Sequence, residues 1–356
     1  MAYNSIRPGQ VWLDTDGNRI QAHGGSIITV DGTFYWYGEN KEKTLPDNDI
    51  WHWGVKCYAS KDLYNWEDKG LIIPPEPDDP SSSLHPTSSM DRPHIIYNEK
   101  TGQYVCWLKI MEKDGTQTET VLTADNLLGP YTKVREGLRP LGMSGGDFDL
   151  VVDPVDKKAY YYFERVHSEL ICADLTDDYT NVTGYYSTHF PRPYPPYVRE
   201  APAHFRRKHL HYLFTSGTTG YHPNPSEAAC AETYHGPWKV LGDLHPDDMS
   251  RTSYNSQITS VFKHPEKRDL YIALADRWLP ALPQQAGEKY ASGEQYRETA
   301  TLFARMFDPD QEAPPRSDPA PRPNTSLADY VWLPVRFNGD VPYLVWEDEW
   351  RVEDSE

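Results

Sequence analysis

Five stretches of the chain repeat one pattern of polar and apolar residues. Each begins with a polar or acidic residue, continues into a short apolar run, turns, and returns as an aromatic-rich strand. The five are "HGGSIITVDGTFYWYGENK" from His23, "DRPHIIYNEKTGQYVCWLK" from Asp91, "DFDLVVDPVDKKAYYYFER" from Asp147, "EAPAHFRRKHLHYLFTSG" from Glu200 and "QITSVFKHPEKRDLYIALADRW" from Gln257. Since turn-forming residues lie between two strand-like runs, each stretch predicts a β-hairpin.

Shorter strand-like segments follow the first four hairpins, for example "GVKCYASKDLYNWEDKG" and "ETVLTADNLLGPYTKV". They predict two further strands, and therefore about four strands per repeat. Four antiparallel strands repeated radially form a propeller blade. The sequence therefore predicts an all-β fold, a five-bladed β-propeller, built as one domain over residues 1–356.

Two segments lie outside the repeats. Residues 281–328 contain "EAPPRSDPAPRPNTS" and are predicted to run over the surface as loop. Residues 329–352 predict a C-terminal hairpin turning at Asn338 to Asp340, which pairs with the N-terminal "GQVWLDTDG" and closes the ring. A Pro-rich linker to a second domain is the alternative, but too little chain follows to form another core.

The amino-acid composition favours β-strands and excludes some classes of binding partner. Aromatic residues make up 13% of the chain, and the formal net charge of -18 repels phosphate backbones and anionic membranes. We therefore expect neither a nucleic acid nor a membrane as partner. The N-terminal "MAYNSIRPGQ" has no apolar signal segment, which predicts a cytoplasmic protein, or a secreted one if a signal has been removed.

No metal or cofactor is predicted. The four cysteines are far apart in the chain, and the histidines show no metal-binding spacing. Buried free thiols are the expected state of Cys57, Cys106, Cys172 and Cys230.

The repeat also predicts where a site forms, because the first strands of all blades line the central channel in one direction. Equivalent residues converge at one mouth, and here they are His23, Asp91, Asp147, Glu200 and Gln257, with Arg92 beside Asp91. Such a set of carboxylates, cation, imidazole and amide is costly to desolvate without a purpose. The alternative is that each residue only satisfies backbone N–H groups at a strand entrance.

The second strands are expected to end at the same mouth. Their terminal residues would be Glu39, Trp107, Glu164, Thr218 and Trp278. Aromatic faces beside carboxylates and amides are typical of a sugar site, although Trp107 also suits the core.

The chain resembles glycoside hydrolase family 43, in particular its exo-β-1,3-galactanase branch, from about Val11 to Trp350. The resemblance rests on the ordered motifs "IQAHGG", "YWYGE", "MDRPHIIYNEKTGQYVCW", "REAPAHF", "TSGTTGYHPN", "NSQITSV" and "WLPVRF". It implies a five-bladed propeller and an inverting enzyme with Glu200 as general acid, Asp147 as the carboxylate that tunes it, and Gln257 positioning the attacking water. Substrate-binding residues implied by the repeat and the resemblance are Glu39, Asp91, Arg92, Thr218, His23, Trp107 and Trp278.

Three positions depart from the family pattern. His23 stands where most of the family has its general-base aspartate, an absence that the galactanase branch shares. Asp91 replaces the branch's usual glutamate, and Gly146 replaces an arginine. A glutamine is not a strong base at neutral pH, so either Gln257 only orients the water or Asp91 contributes; the sequence leaves both open.

The predicted function is an exo-acting hydrolase that releases galactose from β-1,3-galactan or related galacto-oligosaccharides. Three alternatives stay open: an exo-galactofuranosidase or arabinofuranosidase on the same fold, a carbohydrate-binding propeller without catalysis, and a protein-interaction propeller. The last is disfavoured by a mouth lined with acids.

Overall fold

The repeated stretches fold into small antiparallel sheets in the computed structural model, which describes residues 2–310 and 322–355. The first sheet contains β1 (His23–Val30), β2 (Thr33–Glu39), β3 (Val55–Ser60) and β4 (Glu67–Ile73). The second contains β5 (Ser89–Asn98), β6 (Gln103–Met111), β7 (Gln117–Ala124) and β8 (Thr132–Leu138). The third contains β9 (Gly145–Val152), β10 (Ala159–Arg165), β11 (Glu169–Leu175) and β12 (Val182–His189). The fourth contains β13 (Arg199–Arg207), β14 (Leu210–Gly217), β15 (Glu227–Ala231) and β16 (Lys239–Asp243), and the fifth β17 (Gln257–Lys263), β18 (Tyr271–Arg277) and β19 (Asp329–Pro334).

The first strands of the five sheets form a closed ring. Strand β1 contacts β5, β5 contacts β9, β9 contacts β13, β13 contacts β17, and β17 contacts β1 again. The sheets therefore radiate from one axis, and the prediction of an all-β, five-bladed β-propeller is confirmed.

The fifth blade differs from the predicted four-strand unit. It has three strands, and the third, β19, follows a long excursion from the end of β18. This excursion contains α1 (Leu282–Ala286), α2 (Glu288–Ala291) and α3 (Glu294–Phe307). None of the described helices is long and apolar enough to cross a membrane.

The prediction that residues 281–328 run as loop is therefore wrong for the part that forms helices. It rested on Pro-rich composition, and most of that composition lies at residues 311–321, outside the described residues. The α3 segment instead spaces Tyr296, Phe303 and Phe307 along one helical face. Composition averaged over the whole segment hid this periodicity.

The C-terminal segment forms the predicted hairpin from β20 (Arg336–Asn338) and β21 (Val341–Tyr343). The chain ends then meet, because Ile6 and Trp350 exchange backbone hydrogen bonds of 2.9 and 3.0 Å. The predicted partner "GQVWLDTDG" contributes the N–H of Gly9, which donates to the carbonyl of Tyr330. The closing contact is present. Ile6, before that segment, makes the backbone pairing, and Trp12, within it, packs against Tyr330 and Trp332 with ring centroids 5.6 and 4.9 Å apart.

An aromatic cluster fills the seam between the first and fifth blades. Trp36 packs edge-on against Trp66, Tyr330 and Trp332, with ring centroids 4.5 to 5.4 Å apart. Elsewhere Cys57, Cys106 and Cys172 are buried free thiols as predicted, and Cys230 is half-buried.

Candidate active site

The five lead residues of the repeats lie at or near the first residues of β1, β5, β9, β13 and β17. In every blade the pairing of the first and second strands loses register close to this end. A bulge bends a strand and changes the direction of its side chains. The irregularity recurs in all five blades, and four of the lead residues, Asp91, Asp147, Glu200 and Gln257, face the channel mouth.

Three of these bulges place the residue after the lead residue in the left-handed region. Gly24, Arg92 and Ala201 have φ values of 63°, 56° and 49°. A Cβ on Gly24 would collide with the carboxylate of Glu39, so this position also requires glycine for space. Arg92 and Ala201 hold a conformation that costs roughly 1–3 kcal/mol each, next to the carboxylates of Asp91 and Glu200.

Gln257 is positioned differently, by a turn just before it whose residues have left-handed backbone conformations. Ser253, Tyr254 and Asn255 have φ values of 54°, 58° and 57°. Arg277 donates from Nη2 to the carbonyl of Tyr254 at 2.9 Å and from Nε to that of Asn255 at 3.3 Å. A guanidinium therefore holds the turn that delivers Gln257 to the mouth.

A cavity of about 170 Å³ opens at this mouth. Seven of the ten sequence-predicted site residues line it: Glu39, Asp91, Arg92, Asp147, Glu200, Gln257 and Trp278. The lining also includes Trp51, Lys109, Gly220 and Tyr221. The structure thus brings seven of the predicted residues together at the channel mouth and adds four residues to the lining.

Asp147 is held between two cations. Arg92 Nη2 lies 2.8 Å from its Oδ2, and Lys109 Nζ lies 2.8 Å from its Oδ1. Burial by itself would raise the pKa of Asp147, but Arg92 and then Lys109 outweigh it and hold the pKa well below the usual range. Asp147 is therefore a fixed negative charge.

Glu200 has the opposite electrostatic environment. Burial, then the charge of Asp147, then that of Glu164 raise its pKa well above the usual range. The Gln257 amide donates from Nε2 to Oε1 of Glu200 at 3.2 Å and to Oγ of Ser216 at 2.9 Å. A neutral carboxylic acid with one oxygen engaged this way keeps its proton on the other oxygen, Oε2.

Asp91 and Glu39 form a second cluster across the mouth. The indole N–H of Trp51 donates to Oδ1 of Asp91 at 2.7 Å, and Lys109 Nζ lies 3.3 Å from Oδ2. Lys41 is fully buried, with its Nζ 2.8 Å from Glu39 Oε2. Burial raises the pKa of Glu39 to about 7, Lys41 opposes that shift and Asp91 adds to it.

Aromatic side chains form one wall of the cavity. The rings of Trp51 and Tyr221 lie 6.2 Å apart, and those of Tyr221 and Trp278 lie 5.1 Å apart. Such rings can pack against the C–H face of a sugar while the charged groups opposite bind its hydroxyls.

Three predicted binding residues lie elsewhere. Trp107 is fully buried among the second and third blades, where its N–H donates to the carbonyl of Tyr179. His23 is also fully buried, stacked on Tyr330 and hydrogen-bonded to Asp276. Thr218 is buried behind Glu200 and donates to the carbonyl of Val198. These side chains support the cavity wall and do not line it.

The error at Trp107 is one of register. Asp91 pairs with Lys109, while Trp107 pairs with His94, because β6 continues past Trp107 and β5 is bulged. Counting two residues further along β6 would have found Lys109. Trp51 and Tyr221 lie on loops between strands and carry no repeat signal.

The chain is similar to known proteins in sequence and in fold. The family model described as Glycosyl hydrolases family 43 matches residues 20–290. Among solved structures, the family 43 β-1,3-galactosidase BT0265 has 28% sequence identity and a TM-score of 0.78, covering 99% of this chain and 65% of its own. No curated protein sequence matches the chain at a significant level.

Two further solved structures are similar over almost the whole chain. A variant of the exo-β-1,3-galactanase from Phanerochaete chrysosporium, solved with β-1,3-galactotriose, has 25% identity and a TM-score of 0.76, with 98% of this chain and 68% of its own covered. The β-1,3-galactosidase BT3683, solved with galactodeoxynojirimycin, has 27% identity and a TM-score of 0.76, with 97% and 100% covered. This chain spans about two thirds of the length of the first two proteins.

Proposed function

Because this chain belongs to glycosyl hydrolases family 43, we propose that it is an inverting, exo-acting enzyme that releases galactose from β-1,3-linked galactans. The observation that carries the proposal is the pairing, in one small cavity, of two carboxyl groups with opposite surroundings: burial and Asp147 raise the pKa of Glu200, whereas Arg92 and Lys109 lower that of Asp147. Galactose is proposed as the sugar because the similar solved structures are two β-1,3-galactosidases and an exo-β-1,3-galactanase.

Glu200 is proposed as the general acid. Its proton, on Oε2, moves to the glycosidic oxygen as the bond from that oxygen to the anomeric carbon breaks. Asp147 keeps Glu200 protonated by like-charge repulsion and also holds Arg92 and Lys109 in place.

Asp91 is proposed to serve the attacking water. An inverting hydrolase separates its acid and base by roughly 6.5–9.5 Å across the sugar, whereas Gln257 lies 3.2 Å from Glu200. Gln257 is on the blade next to Glu200, while Asp91 is two blades away. Gln257 accordingly orients Glu200 and Arg92, and Asp91 accepts a proton from the water.

The cavity favours exo action. Its volume of about 170 Å³ is comparable to that of one sugar ring, and residues at the start of four inner strands line it. A chain end can enter it, and the remainder of the chain then leaves through the mouth.

The test is product analysis on β-1,3-galactan with a panel of aryl β-galactopyranoside, β-galactofuranoside and α-arabinofuranoside. We expect galactose as the sole early product, first released as the α-anomer and detected by NMR. Preferential cleavage of a furanoside would assign the alternative specificity. Tight galactan binding with no released sugar would identify a binding protein and contradict the proposal.

A further inference from the structure

Helix α3 departs from the fifth blade but contacts loops of the third and fourth. Phe303 lies 3.8 Å from where a Cβ on Gly220, a cavity-lining residue, would be. The ring of Phe307 meets that of His167 edge to face at 5.4 Å, and Tyr194 donates to Asp308 at 3.2 Å. The helix thus follows the rim of the mouth beside the third and fourth blades.

This part of the rim is on the side of the acid. His167 Nδ1 lies 2.7 Å from Oε1 of Glu164, whose charge acts on Glu200. The Glu164 carboxylate fills the space that a side chain at position 146 would occupy. Since the acid faces the leaving oxygen, His167 and α3 border the path along which the leaving group extends.

The helix exposes apolar surface along this path. The side chain of Phe307 is 38% exposed and stacks at 15° on the ring of Phe303. An exposed aromatic ring that continues from the cavity rim offers a flat apolar face of the kind that a sugar ring covers.

We propose that Phe307, supported by Phe303 and His167, forms a leaving-group subsite that packs against the galactosyl units beyond the scissile bond. This proposal rests on the proposed function and adds the residues that select for chain substrates over simple galactosides. The occupant is the galactan chain itself, because the surface is continuous with the cavity that receives the chain end.

The test compares two substrates of one enzyme. β-1,3-Galactotriose reaches the proposed subsite, whereas β-D-galactosyl fluoride does not, because its leaving group is one atom. We expect Phe307→Ala to raise KM for the triose by about tenfold, a loss in line with one aromatic contact, and to change kcat/KM for the fluoride by less than about twofold.

Two further variants keep the outcome interpretable. Phe307→Tyr retains the aromatic face and should restore KM to near the wild-type value. Leu302→Ala removes another exposed apolar side chain, 49% exposed, from the same helix and should leave the kinetic constants for both substrates unchanged. An unchanged KM for the triose in Phe307→Ala, or an equal loss on both substrates, overturns the subsite. A wild-type protein inactive on both substrates contradicts the proposed function itself.

Discussion

At the scale of single residues, two carboxyl groups in one cavity have pKa values shifted in opposite directions. Asp147 has two cations at 2.8 Å, whereas Glu200 has an amide and two negative neighbours. The difference comes from partners and not from the carboxylates themselves. Each shift therefore depends on the other side chains of the cluster, which makes it testable by substitution.

Glu200→Gln is expected to lower kcat on β-1,3-galactobiose by about 10²–10⁴-fold, because the leaving alkoxide loses its proton donor. Hydrolysis of β-D-galactosyl fluoride should persist, since fluoride leaves without a full proton. Initial rates on both substrates measure this. Equal losses on the two would show that Glu200 does not act as the acid.

The pH profile should report the same group. Glu200 must be protonated, so kcat/KM on galactobiose falls as pH rises through its pKa, which the cavity raises. Asp147→Asn removes a raising charge and frees Arg92 and Lys109, which lower the pKa, so the basic limb should move to lower pH. The pH profile on β-D-galactosyl fluoride is the control, because it should lack the basic limb. A shift of the galactobiose limb to higher pH in Asp147→Asn would contradict the assignment.

At the scale of elements, backbone irregularities place the site. The bulges at Arg92 and Ala201 and the turn at residues 253–255 are conformations that L-residues disfavour. They persist because side chains hold them, and Arg277 is the clearest case. Its guanidinium binds the turn, lies over the ring of Trp346 at 5.4 Å, and occupies the space beside Gly9.

Arg277→Gln is expected to release this turn and lower kcat about tenfold with little change in KM, because Gln257 loses its fixed position. Losing three charge-assisted hydrogen bonds, two to the turn and one to the carbonyl of Gly9, should also lower the free energy of unfolding by about 1–3 kcal/mol. Steady-state kinetics and urea unfolding measure the two effects. Arg336→Gln, on the exposed hairpin and paired with Glu347, is the matched control and should change neither.

At the scale of the whole molecule, the ring is closed by contacts between the chain ends. Ile6 pairs with Trp350, whose indole N–H donates to the carbonyl of Trp332, and Tyr64 binds the N–H of Val352. These contacts add to those of β1 with β17 and seal the seam between the first and fifth blades. The geometry of the mouth depends on this closure, because Gln257 and Glu39 lie on opposite sides of the seam.

Trp350→Ala is therefore expected to lower the free energy of unfolding by about 3–5 kcal/mol, through a cavity in the aromatic cluster and a lost hydrogen bond. Denaturant unfolding followed by tryptophan fluorescence measures this. Val341→Ala, on the exposed hairpin, should cost less than about 0.5 kcal/mol. If Trp350→Ala lowered the free energy of unfolding as little as Val341→Ala, the seam would not depend on the C-terminal segment.

The sequence placed residues well where the repeat is clear and poorly where it is not. Asp91, Asp147, Glu200 and Gln257 reached the cavity because the period of the hairpins places equivalent positions at one mouth. Trp107 was misplaced because a bulge changes register without leaving a mark in composition. Helix α3 was missed because its apolar spacing lies in a segment whose average composition is that of a loop.

The blades and the mouth follow from local properties of the sequence, namely strand alternation and an even repeat period. The tertiary structure was needed to find which charges are neighbours: Lys109 and Arg92 bind Asp147, and Gln257 binds Glu200. It was also needed to place helix α3 against Gly220 and His167. Distances between side chains far apart in sequence depend on bulges, loop paths and packing across the ring, and no local pattern encodes them.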